Sequence, residues 1–324
     1  MTTAAPTTRW DHDVGQAAGS TSRSLRGAAR GVSHVLRDVG SVLRERAAAT
    51  ATPAGLLGTA TETLWLTAHA VTYPFGLLAG ERATGHRGYR VEDLTPSQRG
   101  LLIADVEAAG TPILLLHGMI DNHSIFTLLR RGLRRRGFGQ LHVMNYSIFT
   151  ADVRVAAARL AHEVERVCAE TGYERIHIVG HSLGGLIARY YVTRLGGDER
   201  VHTVVTLGTP HNGTYAAHLL PTSIGRQMRP GSPLLRELAQ PVPSCATRFI
   251  SYWSDLDEAI IPAQYAQLRH DDLNVTNVDL SGVGHLSLPI LPAVVSGIST
   301  SLAMLDAEGH TVASGVTPID TRRR

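Results

Sequence analysis

Residues 176–185, Ile-His-Ile-Val-Gly-His-Ser-Leu-Gly-Gly, constrain the fold of this chain more than any other stretch. The β-branched apolar residues read as a buried strand, Gly180-x-Ser182-x-Gly184 as a sharp turn, and Leu183 onward as a helix. A strand that passes straight into a helix belongs to an α/β sheet. The same corner lifts a serine oxygen to where a base and a carbonyl carbon can both reach it. The pentapeptide alone is weak, since a glycine-rich chain of 324 residues produces one by chance roughly one time in five. Its neighbours carry the argument.

Those neighbours alternate between strand and helix patterns. Pro112 leads into Ile113-Leu114-Leu115-Leu116, a continuous apolar run of the kind found in a central parallel strand. Further strands are expected at 141–145, 175–179, 201–207, 247–252 and 274–280. Helices are expected at about 124–136, 152–171, 183–195 and 289–306. Thr95-Pro96-Ser97-Gln98 starts a helix with an N-cap, a proline at the first position and a glutamine three residues on, and that helix runs to about Ala109. The fold class is α/β, with a right-handed parallel sheet and ligands expected at the carboxyl ends of its strands.

Ahead of this domain, residues 1–22 have the composition of a disordered tail. Residues 23–94 form a helical extension. In it, Leu25, Ala29, Val32, Leu36, Val39 and Leu43 recur at helical spacing, with arginines on the other faces. Such a helix can lie on an anionic membrane or pack on the body of the protein. Residues 63–80 are uncharged, yet Thr63, Thr67, His69, Thr72 and Pro74 make them a poor membrane span. The domain occupies 95–306, with a lid-like segment at 211–246 and a tail at 307–324. The alternative for that segment, rich in Leu, Met, Pro and Gly, is ordinary packing.

A serine hydroxyl needs a base, and the base needs an acid to hold its tautomer. In this kind of sheet the chain order is Ser, Asp or Glu, then His. Asp257 follows a strand end, and His285 lies in a Gly-rich loop after the last strand. Both belong to the same sheet edge as Ser182. Asp255 is the rival acid, and Glu258 and Asp279 read as structural. His181 reads as a support for the turn, while His211 and His218 stand out of order for the base. Two backbone N–H groups must meet the developing oxyanion. Leu183 supplies one, and Met119, after His117-Gly118, the other.

These residues resemble the α/β-hydrolase superfamily, specifically its bacterial triacylglycerol lipase-like branch, over about residues 95–305. The resemblance rests on His117-Gly118, Asn145-Tyr146, Gly180-His181-Ser182-Leu183-Gly184, Leu207-Gly208-Thr209-Pro210-His211-Asn212-Gly213-Thr214, the Asp257 loop and Gly284-His285. It implies a compact six-stranded sheet beginning at Ile113, with helices on both faces. It also implies hydrolysis of carboxylic esters, with fatty acyl chains as substrates and no cofactor.

Composition narrows the field further. All 31 basic residues are arginine, which excludes lysine nucleophiles and Schiff bases. A net charge of +3 does not point to nucleic acid. Cys168 and Cys245 make neither a disulfide framework nor a metal site, and Cys168 reads as a buried small hydrophobe. The first twenty residues lack an apolar signal-peptide core, so a cytoplasmic protein is expected, with peripheral membrane contact through the basic helix. The run Arg130–Arg136 reads as a solvated helix face, with anionic lipid as the other reading. Two rivals remain: an acyltransferase or thioesterase using the same serine, and a non-catalytic lipid-binding protein on the same scaffold.

Overall fold

The computed structural model describes residues 110–119, 123–146 and 152–303, together with scattered positions between 44 and 63. The chain forms two compact units, Met1–Ala48 and Ala49–Arg324, and every element named here lies in the second. The strands are β1 (Ile113–Leu116), β2 (Leu141–Met144), β3 (Ile176–His181), β4 (Val201–Leu207), β5 (Arg248–Ser254) and β6 (Asn274–Leu280). From β1 onward the α-helices are α1 (Thr127–Arg135), α2 (Val153–Thr171), α3 (Leu183–Arg194), α4 (Ser223–Gln227), α5 (Pro233–Leu238) and α6 (Pro292–Leu302).

These six strands of the described residues pair in parallel in the order β2-β1-β3-β4-β5-β6. Parallel pairing buries both faces, and β1 shows how. Leu114 and Leu116 join one core with α2 and α3, while Ile113 and Leu115 join a second with α1 and α6. The chain runs outward from β1 to β2, then crosses back to β3 and on to β6. The order therefore reverses between β1 and β3, the crevice where such sheets bind ligands. At that crevice Leu116 pairs with Gly180, so the loops after β1 and β3 leave the sheet side by side.

The expected elements between 113 and 303 are present, and their limits move for physical reasons. β3 continues two residues past the expected end because Gly180 and His181 pair with Thr206 and Leu207. Ser182 is thus the first residue beyond the ladder. Asp152 caps α2, its side chain accepting from the Arg154 N–H, and Gly172 ends the helix at φ 78°. Before α6, a 3₁₀ turn at Leu288–Ile290 takes the place of the expected first helical turn.

Residues 211–246 turn most of their apolar side chains inward. Ile224, Met228, Leu234, Leu235 and Leu238 are buried in the core, while Leu219 is 84% exposed. Glu237 ties the segment down by an ion pair to Arg154 and a 2.6 Å bond from the Tyr190 hydroxyl. Arg189, buried in α3, donates to the carbonyls of His211 and Leu238. Cys168 is buried and unbridged, as expected. Among the described residues no helix is long and apolar enough to cross a membrane. The expectations for residues 1–43, for 64–109 and for the tail at 307–324 fall outside the described residues.

One buried group sets an acid limit on the fold. His177 in β3 is fully buried, neither ring nitrogen has a hydrogen-bond partner among the described residues, and His202 lies 5.8 Å away. Burial, then the nearby His202, Arg248 and Arg175, push its pKa down to about 3. In the unfolded chain the ring titrates near 6.5. Below that pH the unfolded state therefore binds a proton that the native state refuses. This contribution to stability is complete above about pH 6.5 and shrinks as pH falls toward 3. Urea unfolding should show a loss of about 2 kcal/mol from this group between pH 7.5 and 5.0. His177→Leu should remove that part of the slope, and an identical slope in both proteins would contradict the assignment.

Candidate active site

Ser182 occupies the corner between β3 and α3 at φ 52°, ψ −121°. That conformation is unfavourable for any residue with a Cβ and persists only where neighbours hold it. The Ser182 N–H donates to the Leu207 carbonyl at 2.8 Å, and its own carbonyl accepts from Thr209 Oγ1 at 3.0 Å and the Gly185 N–H at 3.1 Å. The helix can start so close to the sheet only because residue 184 has no side chain. A Cβ there would stand 2.3 Å from the Leu116 carbonyl oxygen. Residues on either side of Ser182 are buried, whereas Ser182 itself is partly exposed.

Asp257 and His285 meet at the ends of β5 and β6. His285 Nδ1 lies 3.0 Å from Asp257 Oδ1 and 2.9 Å from Oδ2, and both residues are buried. Oδ1 also accepts from the N–H groups of Ala259 and Ile260, each at 3.0 Å. A buried carboxylate needs such donors to remain charged. Asp255, the rival, is engaged elsewhere, accepting from the Gly282 N–H at 2.8 Å. Gly208, at φ 54°, packs against the pair, and a Cβ there would stand 2.7 Å from Asp257 Oδ2 and 2.9 Å from His285 Nδ1.

The loop after β1 is clamped by Tyr146. Its ring stacks on His117 with centroids 4.3 Å apart, and its hydroxyl donates to the carbonyls of His117 and Gly118. His117 Nδ1 lies 2.8 Å from the Gly118 carbonyl oxygen. In a trans peptide the N–H points opposite to the preceding carbonyl, so the Met119 N–H is directed away from Tyr146. Leu183 opens α3, and its N–H is among the four that a helix start leaves without an intrahelical acceptor.

Several residues matter here in ways that spacing did not show. His181 lies behind the serine, and its Nε2 donates to the His285 carbonyl at 3.1 Å while the two rings sit 4.7 Å apart. Thr214 donates to the Ala259 carbonyl and accepts from the Ile261 N–H, fastening the Asp257 loop to the 207–214 string. His211 is fully buried beside Thr206, and burial keeps its pKa well below the ordinary value, while His218 is exposed. A threonine directly after a turn glycine was the available signal for Thr209 and Thr214. No signal in the chain linked Glu62 or Glu258 to the His285 loop. Among the described residues no group of His, Cys, Asp and Glu could hold a metal ion.

Residues 112–276 match the family model described as palmitoyl protein thioesterase. Triacylglycerol lipases of Pseudarthrobacter phenanthrenivorans and Burkholderia plantarii are each 31% identical over 120 residues, covering 34% of this chain and 37% and 33% of theirs. The chain thus spans about a third of the length of these curated relatives. Among solved structures, Bacillus licheniformis lipase BlEst2 in its propeptide form superposes with a TM-score of 0.53 at 15% identity, over 71% of this chain and 55% of that one. Aspergillus fumigatus lipase B gives 0.53 at 16% identity, over 60% and 52%. At such identity the likeness is one of fold, and the fold is that of the α/β-hydrolases.

The backbone strain at Ser182 can be measured without any assay of activity. Glycine adopts the observed dihedrals freely, so Ser182→Gly should raise stability by about 1 kcal/mol in chemical denaturation. A loss of stability would mean that the hydroxyl, not the strain, dominates the energetics of the corner.

Proposed function

The chain belongs to the palmitoyl protein thioesterase family of α/β-hydrolases, and on that premise we propose a serine hydrolase acting on esters of hydrophobic acyl chains. One observation carries the proposal. The buried Asp257 carboxylate holds His285 Nδ1 at 2.9 Å, on the same sheet edge that presents Ser182 at a positive φ. In this reading Asp257 fixes the tautomer in which His285 Nε2 is the proton acceptor.

Ser182 Oγ attacks the acyl carbon as His285 takes its proton, and the carbonyl oxygen becomes an oxyanion received by the N–H groups of Met119 and Leu183. The imidazolium then protonates the leaving alkoxide, and alcohol departs. Water repeats the sequence on the acyl-serine and releases the acid. The Tyr146 clamp supports the role of Met119, because an oxyanion site works only when its donors are oriented in advance. The lid role is proposed only for the outer turn around the exposed Leu219, since Leu234, Leu235 and Leu238 are packed into the core. Peripheral docking on anionic lipid also belongs to the proposal, supported by the exposed Arg131, Arg134 and Arg135 on α1.

The family match favours a second reading, in which the same acyl-enzyme forms from a thioester and releases a thiol. Rates on p-nitrophenyl esters from C2 to C16, set beside a palmitoyl thioester, separate the two. Ester hydrolysis rising with chain length supports the first reading, and a strong preference for the thioester supports the second. A fluorophosphonate probe should label the wild type and fail on Ser182→Ala. Undiminished labelling would place the nucleophile elsewhere, and neither labelling nor hydrolysis by the wild type would favour a non-catalytic scaffold.

The acid can be assigned with two variants. Asp257→Asn should lower kcat on the order of 10³-fold or more, whereas Asp255→Asn should stay within about tenfold of wild type. The reverse ranking would transfer the role to Asp255.

A further inference from the structure

Glu62 lies well upstream of β1 and outside residues 112–276, yet it grips the loop that carries His285. Residues 55–60 and 62–63 are helical and bring its side chain, 8% exposed, to the end of β6. One carboxylate oxygen accepts from the Leu286 N–H at 2.6 Å. The other accepts from the Ser287 N–H at 3.0 Å and the Ser287 hydroxyl at 2.6 Å. Three donors on one carboxylate form a directional, charge-assisted set. The packing is equally close. A Cβ on Gly284 would stand 2.5 Å from the Glu62 carboxyl carbon, and one on Gly58 would stand 2.0 Å from the Gly282 carbonyl oxygen. The upstream segment therefore meets the loop backbone on both sides of Val283.

His285 sits beside this grip. Its own N–H donates to Glu258 at 3.3 Å, and its carbonyl accepts from His181. Loss of water around Glu258, then the facing Glu62 carboxylate, push the Glu258 pKa up to about 7. Among the described residues the loop has no ladder partner of its own beyond Leu280, where β6 ends. It is glycine-rich, and its path is set by these side-chain bonds.

We propose that Glu62 is a positioning residue for His285, holding residues 284–287 so that the imidazole spans Asp257 and Ser182. The inference rests on the reading of His285 as the base. It adds a segment upstream of the sheet to the apparatus that places the ring. Misplacement of a catalytic group by about 1 Å costs about 10²-fold in rate, which sets the scale of the effect.

The test uses the full chain with Glu62→Gln and Glu62→Asp. Glutamine keeps the volume but replaces one acceptor with an NH₂ that must face a donor; aspartate keeps the charge on a shorter stem. Glu62→Gln should lower kcat on a p-nitrophenyl ester about 30- to 100-fold, with KM within about twofold, and Glu62→Asp should fall between it and wild type. The rate of fluorophosphonate labelling should fall in parallel, with the melting temperature changed by only a few degrees. The low-field proton resonance of the Asp257–His285 bond should broaden or move in Glu62→Gln. A kcat within about threefold of wild type and an unmoved resonance would overturn the proposal. So would a loss that only tracks the unfolded fraction. Should Glu62→Gln not fold, Glu62→Asp decides alone, since wild-type kcat and resonance there would also overturn it. If wild type is inactive, or Ser182→Ala is as active as wild type, the serine-hydrolase reading fails, and the resonance still tests Glu62.

Discussion

The hold of β4 on the Ser182 backbone is the constraint on which the other contacts depend. A residue at φ 52°, ψ −121° relaxes unless both of its peptide groups are engaged. Leu207 takes the N–H, and Thr209 reaches across to the carbonyl. Both residues lie at the start of the string from Leu207 to Thr214. The same string places Gly208 against Asp257 and His285, and Thr214 on the loop that bears Asp257. One strand end therefore sets the corner, the pair beside it and the acid loop together.

The topology makes this economy possible. Strand order reverses between β1 and β3, so the loop carrying Met119 and the corner carrying Ser182 leave neighbouring strands side by side, at the position where such sheets bind ligands. Farther along the sheet, β5 and β6 deliver Asp257 and His285 from the same edge. The electrostatics follow from burial. Asp257 has no exposed surface, and two backbone N–H groups with one imidazole supply the donors its charge requires. Glu62 supplies acceptors from the other side, to the Leu286 N–H and to the N–H and hydroxyl of Ser287.

Much of the architecture was legible because its signals are local. The run of Ile113–Leu116 reads as a strand buried on both faces, and the limits of β1, β4 and β6 agree with the pattern to the residue. Ser182, Asp257 and His285 could be ranked because chain order and strand ends restrict what can reach one sheet edge. Between Asp255 and Asp257 the sequence favours Asp257 only through the Asp257-x-x-Ile-Ile-Pro stretch that follows it. The path of the loop turns Asp255 toward Gly282 and Asp257 toward His285. Residues 211–246 show the same limit. Their leucines fit a cover or a core equally well, and the packing of Leu234, Leu235 and Leu238 against α3 depends on where that helix lies.

The amino-acid sequence by itself determined the alternation of strands and helices, the turn at Ser182 and the order of the three polar residues. Each of these follows from side-chain periodicity, glycine placement or chain order. The tertiary structure alone decided that His181 reaches the His285 carbonyl and that Glu62 holds the loop from 224 positions away. These contacts join residues whose separation along the chain carries no information about their separation in space. Their partners are mostly backbone N–H and carbonyl groups, which every sequence contains, so no residue type marks them in advance.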